Sequence, residues 1–102
     1  MKDYLDNINK AFESRARLGI MSVLMVEDKV DFNTLKETLQ LTDGNLASHL
    51  RALEEAAYLG VEKQFVGRKP NTTYHATEAG REAFKSHLDA LEKLILSNRK
   101  DN

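Results

Sequence analysis

A chain of 102 residues holds one domain, and at that length about 65% of the extended surface can be buried, enough for a core without staples. It has no cysteine, which excludes disulfides, thiolate zinc sites and thiol nucleophiles. Lys and Arg number 15 against 16 Asp and Glu, so the net charge of −1 draws the chain toward no polyanion as a whole, yet Lys63 to His75 carries Lys63, Arg68 and Lys69 with no acid among them.

In chain order, Leu5, Ile8 and Phe12 recur at helical spacing, and Leu18, Met21, Leu24 and Met25 continue it. That pattern predicts helix from about Lys2 to Glu27, with Ile20 and Val23 adding a second apolar face to a buried central stretch. Ser14 is a candidate N-cap that would split the segment in two. Val30 to Phe32 reads as a short extended link, and Asn33 as the cap of a helix carrying Leu35 and Leu39 that stops near Gln40-Leu41. Thr42 caps the next helix, with Asp43 in its first turn, where the helix dipole favours an anion. Leu46, Leu50, Leu53 and Ala57 share one stripe of that helix, while Gly44, Asn45, Ser48, Arg51, Ala52 and Glu55 make a small, polar opposite face.

After Gly60, Val61–Val66 and Thr72–Ala76 read as two strands joined by Gly67-Arg68-Lys69-Pro70-Asn71, a turn with two adjacent cations at its tip. Thr77 caps the last helix, where Phe84, Leu88, Leu91 and Ile95 form a heptad-like stripe widened by Leu94 and Leu96. A short helix, a tight turn, a second helix and a basic-tipped hairpin make a winged helix-turn-helix. The expected class is mostly α (α+β), with a two- to three-stranded β-wing and a C-terminal dimerisation helix. One domain would span 1–102, with the helix-turn-helix at 33–58, the wing at 61–77 and dimerisation helices at 1–13 and 78–98.

Such an arrangement suits B-form DNA, because an α-helix fits the major groove and its N-terminal side chains reach base edges. Gly44, Ala47 and Ser48 are small enough for close approach, Asn45 can pair two-pronged with adenine, and Arg51 can take a guanine edge or a phosphate. Arg68 and Lys69 would meet the adjacent minor groove or backbone. Apolar residues beyond the needs of one core favour a homodimer through Leu88, Leu91, Leu94 and Ile95, with Leu5, Ile8 and Phe12 in the same region.

The runs Arg17-Leu18-Gly19-Ile20-Met21, Phe32-Asn33-Thr34-Leu35 and Leu41 to Glu54 resemble small prokaryotic winged-helix transcriptional regulators of the ArsR/MarR type, and more narrowly the stand-alone winged-helix DNA-binding group. Glu62-Lys63, Gly67-Arg68-Lys69-Pro70 and Thr72-Thr73-Tyr74 are similar to that group's wing, and Thr77-Glu78-Ala79-Gly80 to the start of its last helix. The resemblance implies a homodimer on double-stranded operator DNA, with Thr42, Asn45, Ser48, His49 and Arg51 at the major groove, Arg68 and Lys69 on the wing beside Thr72, and the terminal helices in the dimer. Ser14-Arg15-Ala16 departs from the group's frequent Asn-Pro, and Ala57 stands where glycine is usual before Tyr58.

His49, His75 and His87 lie on different elements without ligand spacing, so no metal or other cofactor is expected. His49 fits a half-buried packing role or a phosphate contact. No Ser stands beside a His with an orienting acid, so no enzyme is expected. The rival is a winged-helix protein-interaction module without DNA binding, favoured by the neutral net charge. A small-molecule effector is compatible with DNA binding, and no residue names one. The longest apolar stretch, Leu18 to Val26, is far short of the ~20 residues of a membrane span. With no secretion-signal layout at the N-terminus, the expected compartment is the cytoplasm.

Overall fold

The computed structural model describes residues 2–99 and the side chains of 4–99. Residue 1 of the expected segment 1–13, and residues 100–102, lie outside the described residues. The elements are α1 (Lys2–Asp6), a 3-10 turn (Lys10–Phe12), α2 (Arg15–Val26), β1 (Val30–Asp31), α3 (Phe32–Leu39), α4 (Asp43–Glu55), β2 (Leu59–Val66), β3 (Lys69–Ala76) and α5 (Glu78–Ser97). The strands form one antiparallel sheet in the order β1-β3-β2. This is a winged helix with a C-terminal helix, as the pattern of elements predicts.

Local capping decides most helix starts. Ser14 is extended and its Oγ accepts from the Arg17 N–H at 3.3 Å. The segment from Lys2 to Glu27, whose continuity through Ser14 the sequence leaves open, is divided at that cap, with α2 after it and α1 and the 3-10 turn before it. Thr42 and Thr77 cap α4 and α5 in the same way, accepting from the N–H groups of Asn45 and Gly80. The expected cap at Asn33 is displaced to Asp31, whose Oδ1 accepts from the Thr34 N–H at 2.7 Å. Tertiary pairing moved it: Val30 and Asp31 ladder with Tyr74 and Thr73, which holds Asp31 extended and lets α3 begin at Phe32.

Leu46, Leu50 and Leu53 of α4 are buried with Ile20, Met21 and Leu24 of α2, Leu35 of α3 and Leu59 of β2. Each contributes roughly 1.5–3 kcal/mol of burial. Ala57 is a correction to that stripe, being exposed and past the helix end. Its φ of 65° is left-handed. Its N–H donates to the Glu54 carbonyl and the Tyr58 N–H to the Leu53 carbonyl, both at 2.9 Å. That is a Schellman ending with alanine where glycine is usual.

The start of α5 docks on this ending. The Tyr58 carbonyl accepts from the Thr77 N–H at 3.1 Å, and the Thr77 hydroxyl donates to the Ala57 carbonyl at 2.7 Å. Gly80 passes so close that a Cβ there would collide with the Tyr58 carbonyl. One turn on, the Arg81 guanidinium donates to the Leu24 and Met25 carbonyls, each at 3.3 Å, and closes the C-terminal end of α2.

The N-terminal segment packs beside α5 around a polar knot. The Asn9 N–H donates to Nδ1 of His87 at 3.0 Å, and its side-chain amide donates to the Tyr58 hydroxyl at 2.9 Å. His87 sits among the rings of Phe12 and Phe84 and is only 3% exposed. Phe12 is itself 1% exposed. Its ring packs edge-on to Phe84 and tilted against Tyr58, so it belongs to its own subunit's core and cannot serve the dimer surface expected of it. Burial pushes the His87 imidazole below its ordinary value, and the Glu13 carboxylate partly opposes that shift.

Backbone fit at the α4–α5 junction yields opposite outcomes for two small substitutions. Gly80→Ala is expected to cost about 1–3 kcal/mol by overpacking against backbone. Ala57→Gly is expected to add about 1 kcal/mol by relieving the left-handed alanine. Urea unfolding of both variants measures the two signs.

Folded His87 binds its proton less readily than unfolded His87, so the unfolded state is the more protonated below about pH 6.5. Stability should be full above that point and should fall as pH drops through the interval between the unfolded and folded values. Thermal melts at about pH 7.5 and about pH 5.5 should show a lower Tm in acid. His87→Gln keeps an acceptor for Asn9 but cannot titrate, and should show a smaller drop.

Candidate nucleic-acid interface

The turn between α3 and α4 is set by Gln40, left-handed at φ 54°, with the Leu41 N–H donating back to the Lys36 carbonyl at 3.2 Å. Lys36 and Asp43 form an ion pair at 2.9 Å across the turn. Both are solvent-exposed enough that it contributes only about 0.2–1 kcal/mol. What fixes the helix pair is the leucine face of α4 beneath it.

Opposite that face, Thr42, Gly44, Asn45, Ser48 and Arg51 are all exposed. The Thr42 oxygen is engaged as the cap, leaving its hydroxyl hydrogen free to donate. The side chains of Asn45, Ser48 and Arg51 make no hydrogen bond or ion pair among the described residues. Their amide, hydroxyl and guanidinium point to solvent from a helix whose other side is fully packed.

His49 does not belong to that row. It is half-buried, and its Nδ1 accepts from Nε of Arg17 at 3.1 Å, which ties the first turn of α2 to α4. The imidazole proton therefore sits on Nε2. Arg17 escaped the sequence reading as a site residue because no periodicity marks a pair 32 positions apart.

The wing differs from expectation at its tip. The strands run to Val66 and resume at Lys69, leaving only Gly67 and Arg68 as the turn. Gly67, at φ 66°, takes the left-handed conformation that two-residue hairpins require. Lys69, Pro70 and Asn71 therefore lie in β3 and not in a loop, in register with Val66, Phe65 and Gln64. Proline is tolerated there because β1 pairs β3 only at Thr73 and Tyr74, so β3 is an edge strand by Pro70.

Cross-strand partners share a face of the sheet, so Val61, Lys63 and Phe65 lie on one side with Tyr74, Thr72 and Pro70. That side faces α4 across a groove of about 570 Å³ lined in part by Ala47, Arg51, Glu54, Lys63 and Thr72. Arg51 and Thr72 are thus brought together, and Lys63 joins them as a second cation of the groove. Lys63 had been legible only as part of a basic run, since its direction depends on strand register. Lys69 turns to the opposite side, with Val66, Asp31 and Asn33, and so stands apart from α4. Arg68 occupies the tip. Burial and the negative Glu54 push the Tyr74 phenol, on the groove wall, above its ordinary value.

Of the residues expected at a dimer surface, Leu5, Leu88 and Ile95 are exposed, together with Leu96, while Ile8, Leu91 and Leu94 are half-buried. Among the described residues no group of His, Cys, Asp and Glu could hold a metal ion. Among them too, no helix is long and apolar enough to cross a membrane.

The family described as winged helix DNA-binding domain matches residues 16–95. An uncharacterized protein of Methanocaldococcus jannaschii is 39% identical over 79 residues, covering 78% of this chain and 86% of that protein. The structure of a transcriptional regulator homologue from Pyrococcus horikoshii OT3 superposes with a TM-score of 0.85 at 31% identity, over 95% of this chain and 97% of that one. Reduced AbfR bound to DNA superposes with a TM-score of 0.72 over 90% of this chain and 66% of that one. At 16% identity that last likeness is one of fold alone.

The Arg17–His49 bond gives a local test of how α2 supports α4. Arg17→Ala should lower stability by about 1 kcal/mol in urea unfolding, because a charge-assisted donor to a half-buried ring is lost.

Proposed function

The chain belongs to the winged helix DNA-binding domain family, and from that premise we propose that it is a sequence-specific transcriptional regulator, a homodimer reading a two-fold-symmetric operator. The observation that carries this is the row Asn45, Ser48 and Arg51, exposed and without a side-chain partner among the described residues, on α4 above the groove it shares with Lys63 and Thr72. In the major groove Asn45 reads adenine and Arg51 a guanine edge or a phosphate. Thr42 and Ser48 donate to phosphate or base, and Gly44 lets the first turn of α4 come close to the backbone. Arg68, Lys63 and Lys69 neutralise phosphates beside the wing. His49 acts from beneath, by holding α4 on Arg17.

Dimerisation is supported by surface that one copy leaves uncovered. The accessible area is 7247 Å², against about 5,800 Å² for a compact monomer of this size. Apolar Leu5, Leu88, Ile95 and Leu96 contribute to the excess. Pairing of α5 and α1 with a second copy covers them, with Leu91 and Leu94 at the edge, and sets two α4 helices about 34 Å apart on one face of DNA. The regulator works in the cytoplasm, where the duplex is, and needs neither cofactor nor catalysis. The likeness of fold to a DNA-bound protein and the kinship with a named transcriptional regulator homologue both support the DNA-binding reading.

Selection from a random duplex pool, followed by fluorescence anisotropy at about 50 and about 200 mM salt, tests it. A two-fold-symmetric site should be enriched, with affinity falling about 10³-fold across that range. Arg68→Ala should flatten the salt slope by about 1 per subunit. Asn45→Ala should instead erode discrimination by about 1–3 kcal/mol per half-site. No binding at low salt would overturn DNA reading and leave a protein-interaction module.

A further inference from the structure

At the end of the wing stands a side chain that neither folding nor phosphate binding explains. Phe65 is 73% exposed, two residues from a tight turn, and Val66 beside it is 65% exposed. Leaving them in water forgoes the gain of burying two apolar side chains, and an apolar edge strand invites aggregation. Hairpin tips without a partner for such groups are normally polar.

The register specifies what this tip can touch. Phe65 pairs with Pro70, and that apolar pair continues the side of the sheet that carries Lys63 and Thr72 and faces α4. Val61 is the last residue of β2 that is not exposed. Phe65 lies four residues further, about 13 Å at strand spacing, before the length of its own ring is added. With α4 in the major groove, the neighbouring minor groove is about half a helical turn away, ~17 Å. Lys63 lies two positions from Phe65 on the same side of the sheet and Arg68 at the tip, while Lys69 lies on the other side, and no acid occurs between Lys63 and His75. An apolar ring on a wing end that carries cations and no acid fits a polyanion with a hydrophobic interior. It does not fit an apolar protein groove, where those cations would be desolvated without partners.

Building on the DNA-binding reading above, we infer that Phe65 is an apolar wedge that enters the minor groove beside each half-site and partly unstacks a base step there. Lys63, on the same side, and Arg68, at the tip, hold the flanking phosphates, and Pro70 backs the ring with a side chain that has little entropy to lose. The wedge reads deformability: flexible TA and CA/TG steps are easier to open than stiff A-tracts. It adds sequence preference at a position that α4 does not contact.

The test uses the full chain on a duplex that it selects, carrying a dye at each end and 2-aminopurine at the flanking step. Wild-type protein should bend the duplex by roughly 20–90° and brighten the 2-aminopurine. Phe65→Ala should lose most of both signals and about tenfold in affinity, with the salt slope unchanged because no charge is removed. Phe65→Leu should retain most of the effect. If Phe65→Ala bends and binds like wild type, the wedge is overturned while DNA binding stands. If Phe65→Ala lowers the Tm or dissociates the dimer in sedimentation, the ring packs on protein and the inference also fails. If wild-type protein binds no duplex at all, the DNA-binding reading falls and the wedge with it.

Discussion

One carbonyl organises this molecule. The Tyr58 oxygen, at the end of the helix that faces solvent with Asn45 and Arg51, accepts the Thr77 N–H and lies against Gly80 at the start of α5. The Thr77 hydroxyl reaches back to Ala57, and Arg81 reaches across to the last carbonyls of α2. Three helices are thereby joined within one turn of α5. The wing begins and ends at the same place, because Leu59 follows Tyr58 directly and pairs with Ala76, next to Thr77. The angle between wing and α4 is therefore set by backbone and not by long side chains.

A second consequence is a division of labour by face. α4 is buried through Leu46, Leu50 and Leu53 and open through Asn45, Ser48 and Arg51, so packing holds that exposed side rigid without using, among the described residues, the hydrogen-bonding groups of those three side chains. The exposed ion pairs, Lys36–Asp43 and Lys29–Glu62, add little to that rigidity. The near-neutral total charge is compatible with binding a polyanion because the cations are gathered by topology. Arg51 and Lys63 are twelve positions apart in sequence and line one groove in space.

At the opposite end of the polar scale, His87 shows how α5 holds the N-terminal segment. A neutral imidazole buried among Phe12 and Phe84 offers one lone pair to the Asn9 N–H, and Asn9 continues the chain of bonds to Tyr58. The segment before α2 is thus tied to the same residue that anchors α5. Three histidines in one short chain prove to have three separate surroundings: His87 in the core, His49 under Arg17, and His75 on β3 against Gly60.

The amino-acid sequence by itself determined whatever is decided within a few residues. Thr42, Thr77 and Ser14 were recognisable as caps because a side chain that accepts from an N–H three residues on needs no tertiary partner. The leucine stripe of α4 and its polar reverse were legible for the same reason, since helical period alone assigns the faces. Only the tertiary structure decided whatever depends on a distant strand or helix. Pairing of Asp31 with Thr73 moved the start of α3, and the hairpin register put Lys63 beside Arg51, turned Lys69 away and exposed Phe65. Packing on Tyr58 and Phe84 drew Phe12 into the core. Apolar spacing marks the stripe of a helix, and it carries no information about which of its residues the rest of the chain covers: Phe12 is buried, while Leu5 and Ile95 are exposed.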